Sequence, residues 1–144
     1  GLLTTLWQYE QELGKFFNGP VIQGSNKHFD VLEKQLHEYF NGARKTFDIP
    51  LVTPGSEFQQ QVWRQLQTIP YGTTRSYKDQ AAALNQPKAI RAIATANGMN
   101  GIAIVIPCHR VIGSDGSMTG YGGGIWRKKW LLDHESTNKQ LSLL

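Results

Sequence analysis

One cysteine occurs in 144 residues, and it stands in the run Ile106-Pro107-Cys108-His109-Arg110-Val111. Taken alone, a single cysteine is most simply a small buried hydrophobe. Its neighbours point to chemistry. Thiolate is the nucleophilic form of cysteine, and positive charge from Arg110, and from His109 when protonated, favours it. Such a group could attack an electrophilic carbon. Directly upstream, Ile102-Ala103-Ile104-Val105-Ile106 is predicted to form a fully buried strand from its length and β-branching, and Pro107 ends it. Cys108 is then expected where a core strand turns outward, in the kind of connecting segment that carries sites. Neighbouring side chains in an extended segment face opposite ways. Cys108 and His109 therefore cannot pair directly unless the chain turns or a water bridges them.

The elements that position this run follow from hydrophobic spacing. Residues 1–27 carry apolar Leu2, Leu3, Leu6 and Trp7 and turn-like Gly14, Asn18, Gly19 and Pro20, with no assignable chemistry. His28 to Phe40 reads as a helix, since Phe29, Leu32, Leu36, Tyr39 and Phe40 recur at helical spacing and Asn41-Gly42 supplies a stop. Lys45 to Gly55, with Pro50 and Pro54, reads as a linker, giving two units, 1–54 and 55–144. Ser56 stands three residues before Gln59, a capping-box spacing, and Phe58, Val62, Leu66 and Ile69 form an apolar stripe up to Pro70. Trp63 within it is read as packing.

Ser76 is predicted to cap a helix from Tyr77 to about Leu84, with Asp79 at the capping-box position. Pro87 is then expected at the first position of a further helix, Pro87 to Ala96. Two short helices with a tight turn make a helix-turn-helix candidate. Ala89, Ala92, Ala94 and Ala96 in the second suit close packing, and with Arg91 they suit entry into a narrow DNA groove. Ser114-Asp115-Gly116-Ser117 has hairpin-turn chemistry. In Gly120-Tyr121-Gly122-Gly123-Gly124, the glycines would let the backbone pass close to a flat ligand beside Tyr121. Trp126, Trp130, Leu131 and His134 sit at helical spacing, with Arg127, Lys128 and Lys129 expected on the solvent side. The helix is expected to end near Glu135, before a loose tail.

Composition narrows the function classes. The longest apolar stretch is five residues, so membrane insertion is not expected. No metal-ligand spacing is present and no cofactor is expected. A lone cysteine needs no oxidising compartment and no secretory signal is visible, so cytoplasmic residence is the default. Residues 1–70 hold 6 basic and 7 acidic groups against 9 and 4 in 71–144, and the net charge is +4. The basic second half suits an anionic partner such as a phosphate backbone.

The run Pro107-Cys108-His109-Arg110-Val111 resembles the signature of the O6-alkylguanine-DNA alkyltransferases, also called methylated-DNA:protein-cysteine methyltransferases. Further positions from about Gly55 to Glu135 fit the same family. The resemblance implies an α+β fold: a small N-terminal α/β lobe, expected to be shortened at Gly1, and a mainly helical C-terminal domain with a DNA-binding helix-turn-helix. It implies transfer of an alkyl group from O6 of guanine, or O4 of thymine, in double-stranded DNA to Cys108, once per molecule, by a monomer.

Individual residues carry over. The family's histidine reaches the thiol through water and is oriented by a glutamate, matching His109 and Glu135. Asn97 and Asn100 fit an asparagine-bearing turn, with Asn100 the better match to the residue that orients the thiol. Tyr77 matches a tyrosine near the phosphate of the target nucleotide, and Arg91 the arginine that replaces the extruded base. Extrusion itself is required, because a thiol cannot reach O6 inside a duplex. Tyr121, the Val111 backbone and Gly122 match the guanine pocket, while Lys78, Gln86 and Ser114 are further DNA-contact candidates. Gly101 stands where the family often has proline. Two other readings use the same residues: a damage binder without transfer, like the alkyltransferase-like proteins that carry tryptophan in place of the cysteine, and a multiple-turnover cysteine hydrolase.

Overall fold

The computed structural model describes residues 26–49, 54–118, 121 and 124–142, with side chains described for 30–49, 54–118, 121 and 124–138. The features read in residues 1–25, in 50–53 and at Gly120, Gly122 and Gly123 lie outside the described residues. Helix α1 (Asn26–Phe40) buries Leu32, Leu36, Tyr39 and Phe40, which share one face. It stops where the sequence indicates. Gly42 takes φ 81°, its N–H donates to Tyr39 O at 3.0 Å, and the Ala43 N–H donates to Glu38 O at 2.9 Å, the paired back-bonds of a left-handed cap.

Helix α2 (Glu57–Leu66) starts from a capping box. The Gln59 N–H donates to Ser56 Oγ at 3.1 Å, and the Ser56 N–H to Gln59 Oε1 at 2.9 Å. Trp63 is buried and its indole N–H donates to Ala96 O at 2.9 Å, so it ties α2 to the later segment around Ala96. Strand β1 (Arg75–Ser76) pairs in parallel with β2 (Val111–Ile112), Arg75 opposite Val111 and Ser76 opposite Ile112. Ser76 also caps α3 (Tyr77–Ala83), through a second capping box with Asp79. The pairing therefore holds the start of α3 against the segment that follows Cys108.

Pro87 does not begin a helix. The Ala89 N–H donates to Gln86 O at 2.9 Å, so Pro87 is the second residue of a turn, where its fixed φ serves equally well, and α4 runs Ile90–Gly98. Helices α3 and α4 are joined by a buried amide pair. Gln80 Nε2 donates to Asn97 Oδ1 and Asn97 Nδ2 to Gln80 Oε1, each at 2.8 Å. Removing either partner would leave a buried polar group unsatisfied, at a cost of about 1–3 kcal/mol.

The run 102–106 is buried as expected but is not a strand. The Ile106 N–H donates back to Ile102 O at 3.1 Å, Ala103 and Ile106 form an isolated bridge, and Ile104 takes φ 76°. A left-handed β-branched residue costs about 1–2 kcal/mol, and burial of the Ile104 side chain offsets that. The chain next makes a 3-10 turn over Cys108–Arg110, in which the Arg110 N–H donates to Pro107 O at 3.1 Å. Ser114 opens a turn closed by the Gly113 N–H on Ser117 O at 2.8 Å, and among the described residues the partner of β2 is β1, not a returning hairpin strand.

Helix α5 (Ile125–Ser142) continues well beyond Glu135, through residues expected to form a tail. Lys128 is not on the solvent side: it is 1% exposed, whereas Trp126 is 46% exposed. Lys128, Leu131 and Glu135 are spaced i, i+3, i+7 and share the buried face. All five helices contribute to one apolar core, giving an α+β fold with a single short parallel sheet among the described residues. No described helix is long and apolar enough to cross a membrane.

Candidate active site

Glu135 lies 1% exposed at the centre of a polar cluster drawn from four parts of the chain. Its Oε2 meets His109 Nε2 at 2.6 Å and accepts from the Tyr39 hydroxyl at 2.6 Å and from Arg110 Nη2 at 3.1 Å. Its Oε1 accepts from Arg110 Nε at 2.8 Å and from the Gly72 N–H at 3.2 Å. Burial opposes ionisation of this carboxyl, but His109 and Arg110 outweigh it and hold Glu135 well below the usual carboxylate range. An ionised carboxylate only accepts, so His109 carries its proton on Nε2 and leaves Nδ1 as the proton acceptor. That Nδ1 is buried and has no protein hydrogen-bond partner among the described residues.

Burial acts on the charges of His109 and Cys108 alike. Burial pushes the His109 imidazole down in pKa, Arg110 and Lys128 push the same way, and Glu135 opposes them only in part. Burial pushes the Cys108 thiol up, partly offset by the Asn100 hydrogen bond and the Lys128 charge. Both shifts favour the uncharged forms, imidazole and thiol. Arg110 does not serve the thiol, because its guanidinium is taken up by Glu135, by Ile69 O at 2.7 Å and by the Tyr71 ring 5.6 Å away.

Cys108 itself is a half-buried free thiol. Asn100 Nδ2 donates to Ile106 O at 2.8 Å and reaches Cys108 Sγ at 3.4 Å, while Asn100 Oδ1 accepts from the Ile102 N–H at 2.9 Å. One carboxamide thereby fixes both ends of the folded 102–106 run and touches the sulfur. Asn97 pairs with Gln80 instead. Tyr77 is half-buried beside the thiol, and charge on Cys108 raises its pKa in addition to burial. Lys128 Nζ stands 5.7 Å from the Tyr77 ring centroid.

Charge alone places Lys128 on the solvent side in the sequence, whereas its phase with Glu135 points to the site. Lys128→Met should raise the thiol pKa further, since the nearby positive charge that offsets burial is lost. The pH dependence of Cys108 alkylation by iodoacetamide measures this, and an unmoved midpoint would remove Lys128 from the site.

Lys78, Arg91 and Ser114 are exposed, and Gln86 is half-buried. Tyr121 is half-buried against the core, and Val111 is fully buried. Among the described residues no group of three or more His, Cys, Asp or Glu could hold a metal ion.

Residues 57–137 match the family model for the DNA-binding domain of 6-O-methylguanine DNA methyltransferase. The chain is 56% identical over 110 residues to the methylated-DNA–protein-cysteine methyltransferase of Mycolicibacterium paratuberculosis, covering 76% of this chain and 67% of that one. It is 48% identical over 114 residues to that of Methanosarcina barkeri, covering 79% and 72%. It also resembles the crystal structure of Mycobacterium tuberculosis OGT in complex with DNA, with TM-score 0.75, 47% identity and coverage of 82% and 76%. With more than half of its length inside the family model and relatives at this identity, the chain belongs to the 6-O-methylguanine DNA methyltransferase family.

Proposed function

We propose that the chain is a DNA-repair methyltransferase that moves an alkyl group from O6 of guanine in double-stranded DNA to Cys108. The observation that carries this reading is the half-buried thiol held by Asn100 beside a buried imidazole whose proton-bearing nitrogen is fixed on Glu135. The thiol proton passes to His109 Nδ1, through a bridging water as in the resembled family. A sulfur lone pair attacks the alkyl carbon, the carbon–O6 bond breaks, and its electron pair leaves with guanine. Guanine gains a proton from the Tyr121 hydroxyl, which balances the one that His109 has taken. Asn100 orients the sulfur, and the Val111 backbone and Gly122 contact the base. Neutral resting thiol suits this chemistry, because deprotonation is needed only when the electrophile is in place.

The unit 55–144 carries DNA binding and transfer, and 1–54 is the small N-terminal lobe with its linker. Helices α3 and α4 act as a helix-turn-helix that brings α4 to the minor groove, which is supported by exposed Ala92 and Arg91 on one helix. Tyr77 and Lys78 at the start of α3, Gln86 in the turn, and Ser114 face the phosphates. The protein acts as a monomer, and a thioether with no route to hydrolysis limits it to one turnover.

Arg91 fills the gap left by the extruded guanine, which gives a test of the duplex mode. Arg91→Ala should slow reaction with methylated duplex while sparing reaction with free O6-benzylguanine, because unstacking costs on the order of a few kcal/mol only in the duplex. Equal losses on the two substrates would contradict base extrusion by Arg91.

A further inference from the structure

The N-terminal lobe has no assigned chemistry, yet α1 delivers a phenol to the buried polar cluster around Glu135. Tyr39 is fully buried, and its hydroxyl donates to Glu135 Oε2 at 2.6 Å, the same oxygen that meets His109 Nε2 at 2.6 Å. The contact links residues 96 apart in the chain. A second bond joins the same two elements, since the His134 ring nitrogen Nε2 meets Tyr39 O at 2.7 Å. The helix that bears Glu135 is therefore gripped by α1 at both the backbone and the side chain of one tyrosine.

A carboxylate oxygen has a limited amount of negative charge to share among its donors. Each strong donor on Oε2 lowers what remains to stabilise a positive imidazole on the same oxygen. We propose that Tyr39 is a positioning residue for the proton relay: its hydroxyl fixes Glu135 Oε2 against His109 Nε2 and shares that oxygen's charge, which keeps Nδ1 as the acceptor of the thiol proton. The inference rests on the reading of His109 as the proton acceptor for Cys108. The charged and titratable groups facing the pair are Glu135 and Lys128 from α5, Arg110 from the 3-10 turn, and Tyr71 and His134 around the Tyr39 ring.

Tyr39→Phe removes the donor and keeps the ring that packs against Phe40 at 5.4 Å, Phe47 at 5.7 Å and Tyr71 at 6.1 Å. In this variant the His109 imidazole, followed by NMR titration, should gain its proton at a pH higher by roughly half a unit, since Oε2 is left with fewer donors. The midpoint for iodoacetamide alkylation of Cys108 should fall, because the imidazolium that results favours thiolate. Replacing Tyr39 by 3-fluorotyrosine, a more acidic phenol and stronger donor, should move His109 the opposite way. This second arm keeps the test decisive if the phenylalanine variant does not fold. A purely structural tyrosine would leave both titrations unmoved, and that result, or a fall in the His109 midpoint in Tyr39→Phe, overturns the inference. Both arms read imidazole and thiol without DNA, so they decide the role of Tyr39 separately from methyl transfer.

Discussion

Cys108→Ser is expected to bind a duplex carrying O6-methylguanine about as tightly as the parent and to transfer nothing. Binding should survive because neither the proposed phosphate contacts at Tyr77, Lys78, Gln86 and Ser114 nor Arg91 in the stack use the sulfur. Transfer should vanish because a serine hydroxyl holds its proton far more tightly than a thiol near neutral pH, and the proposed base, His109 Nδ1, reaches it only through a water. Asn100 would hold an oxygen as readily as a sulfur, so the loss would come from chemistry and not from misplacement. Gel-shift affinity and methyl transfer measured on one preparation check both halves. Residual transfer would show that another residue accepts the alkyl group, and lost binding would show a folding effect.

Glu135→Gln is expected to have the second large effect, and it acts on stability as well as rate. The carboxylate faces Arg110 Nε at 2.8 Å and His109 Nε2 at 2.6 Å in near-complete burial. Removing one partner of a buried ionic pair leaves the other uncompensated and costs about 3–5 kcal/mol. Chemical denaturation should show a loss of that order, and transfer in the folded fraction should slow because the tautomer of His109 is no longer fixed. The pH dependence has a definite sign. Glu135 titrates lower in the folded protein than in the unfolded chain, so its contribution is present above the ordinary glutamate range and is lost as pH falls below it. The parent should therefore lose stability steeply below about pH 4, and Glu135→Gln should lose it less steeply. Equal acid sensitivity in the two proteins would show that Glu135 is not the ionised centre.

Local signals were legible in the sequence and long-range ones were not. Both capping boxes, at Ser56 and Ser76, are complete within four residues, and Gly42 is set by the need for positive φ, so these boundaries could be read directly. The run 102–106 shows the limit of composition: five apolar residues demand burial, but a folded turn buries them as well as a strand does, and the Asn100 carboxamide closes that turn. The charge of Lys128 suggests solvent, although helical phase puts it with Leu131 and Glu135. Adjacency suggests that Arg110 serves the thiol, whereas a 3-10 turn sends it to Glu135 and Ile69. Tyr39 carried no signal at all, because its partner lies 96 residues away and hydrophobic spacing alone explained its place in α1.

Alkyl transfer to one sulfur is tested most directly by the intact mass of the protein after incubation with excess oligonucleotide containing O6-methylguanine. The expected result is a gain of about 14 Da, one methyl replacing one proton, on a peptide that contains Cys108, with reaction ending at one equivalent because a thioether is a poor leaving group. Product formation that continues beyond one equivalent, or tight DNA binding with no change in mass, would contradict it.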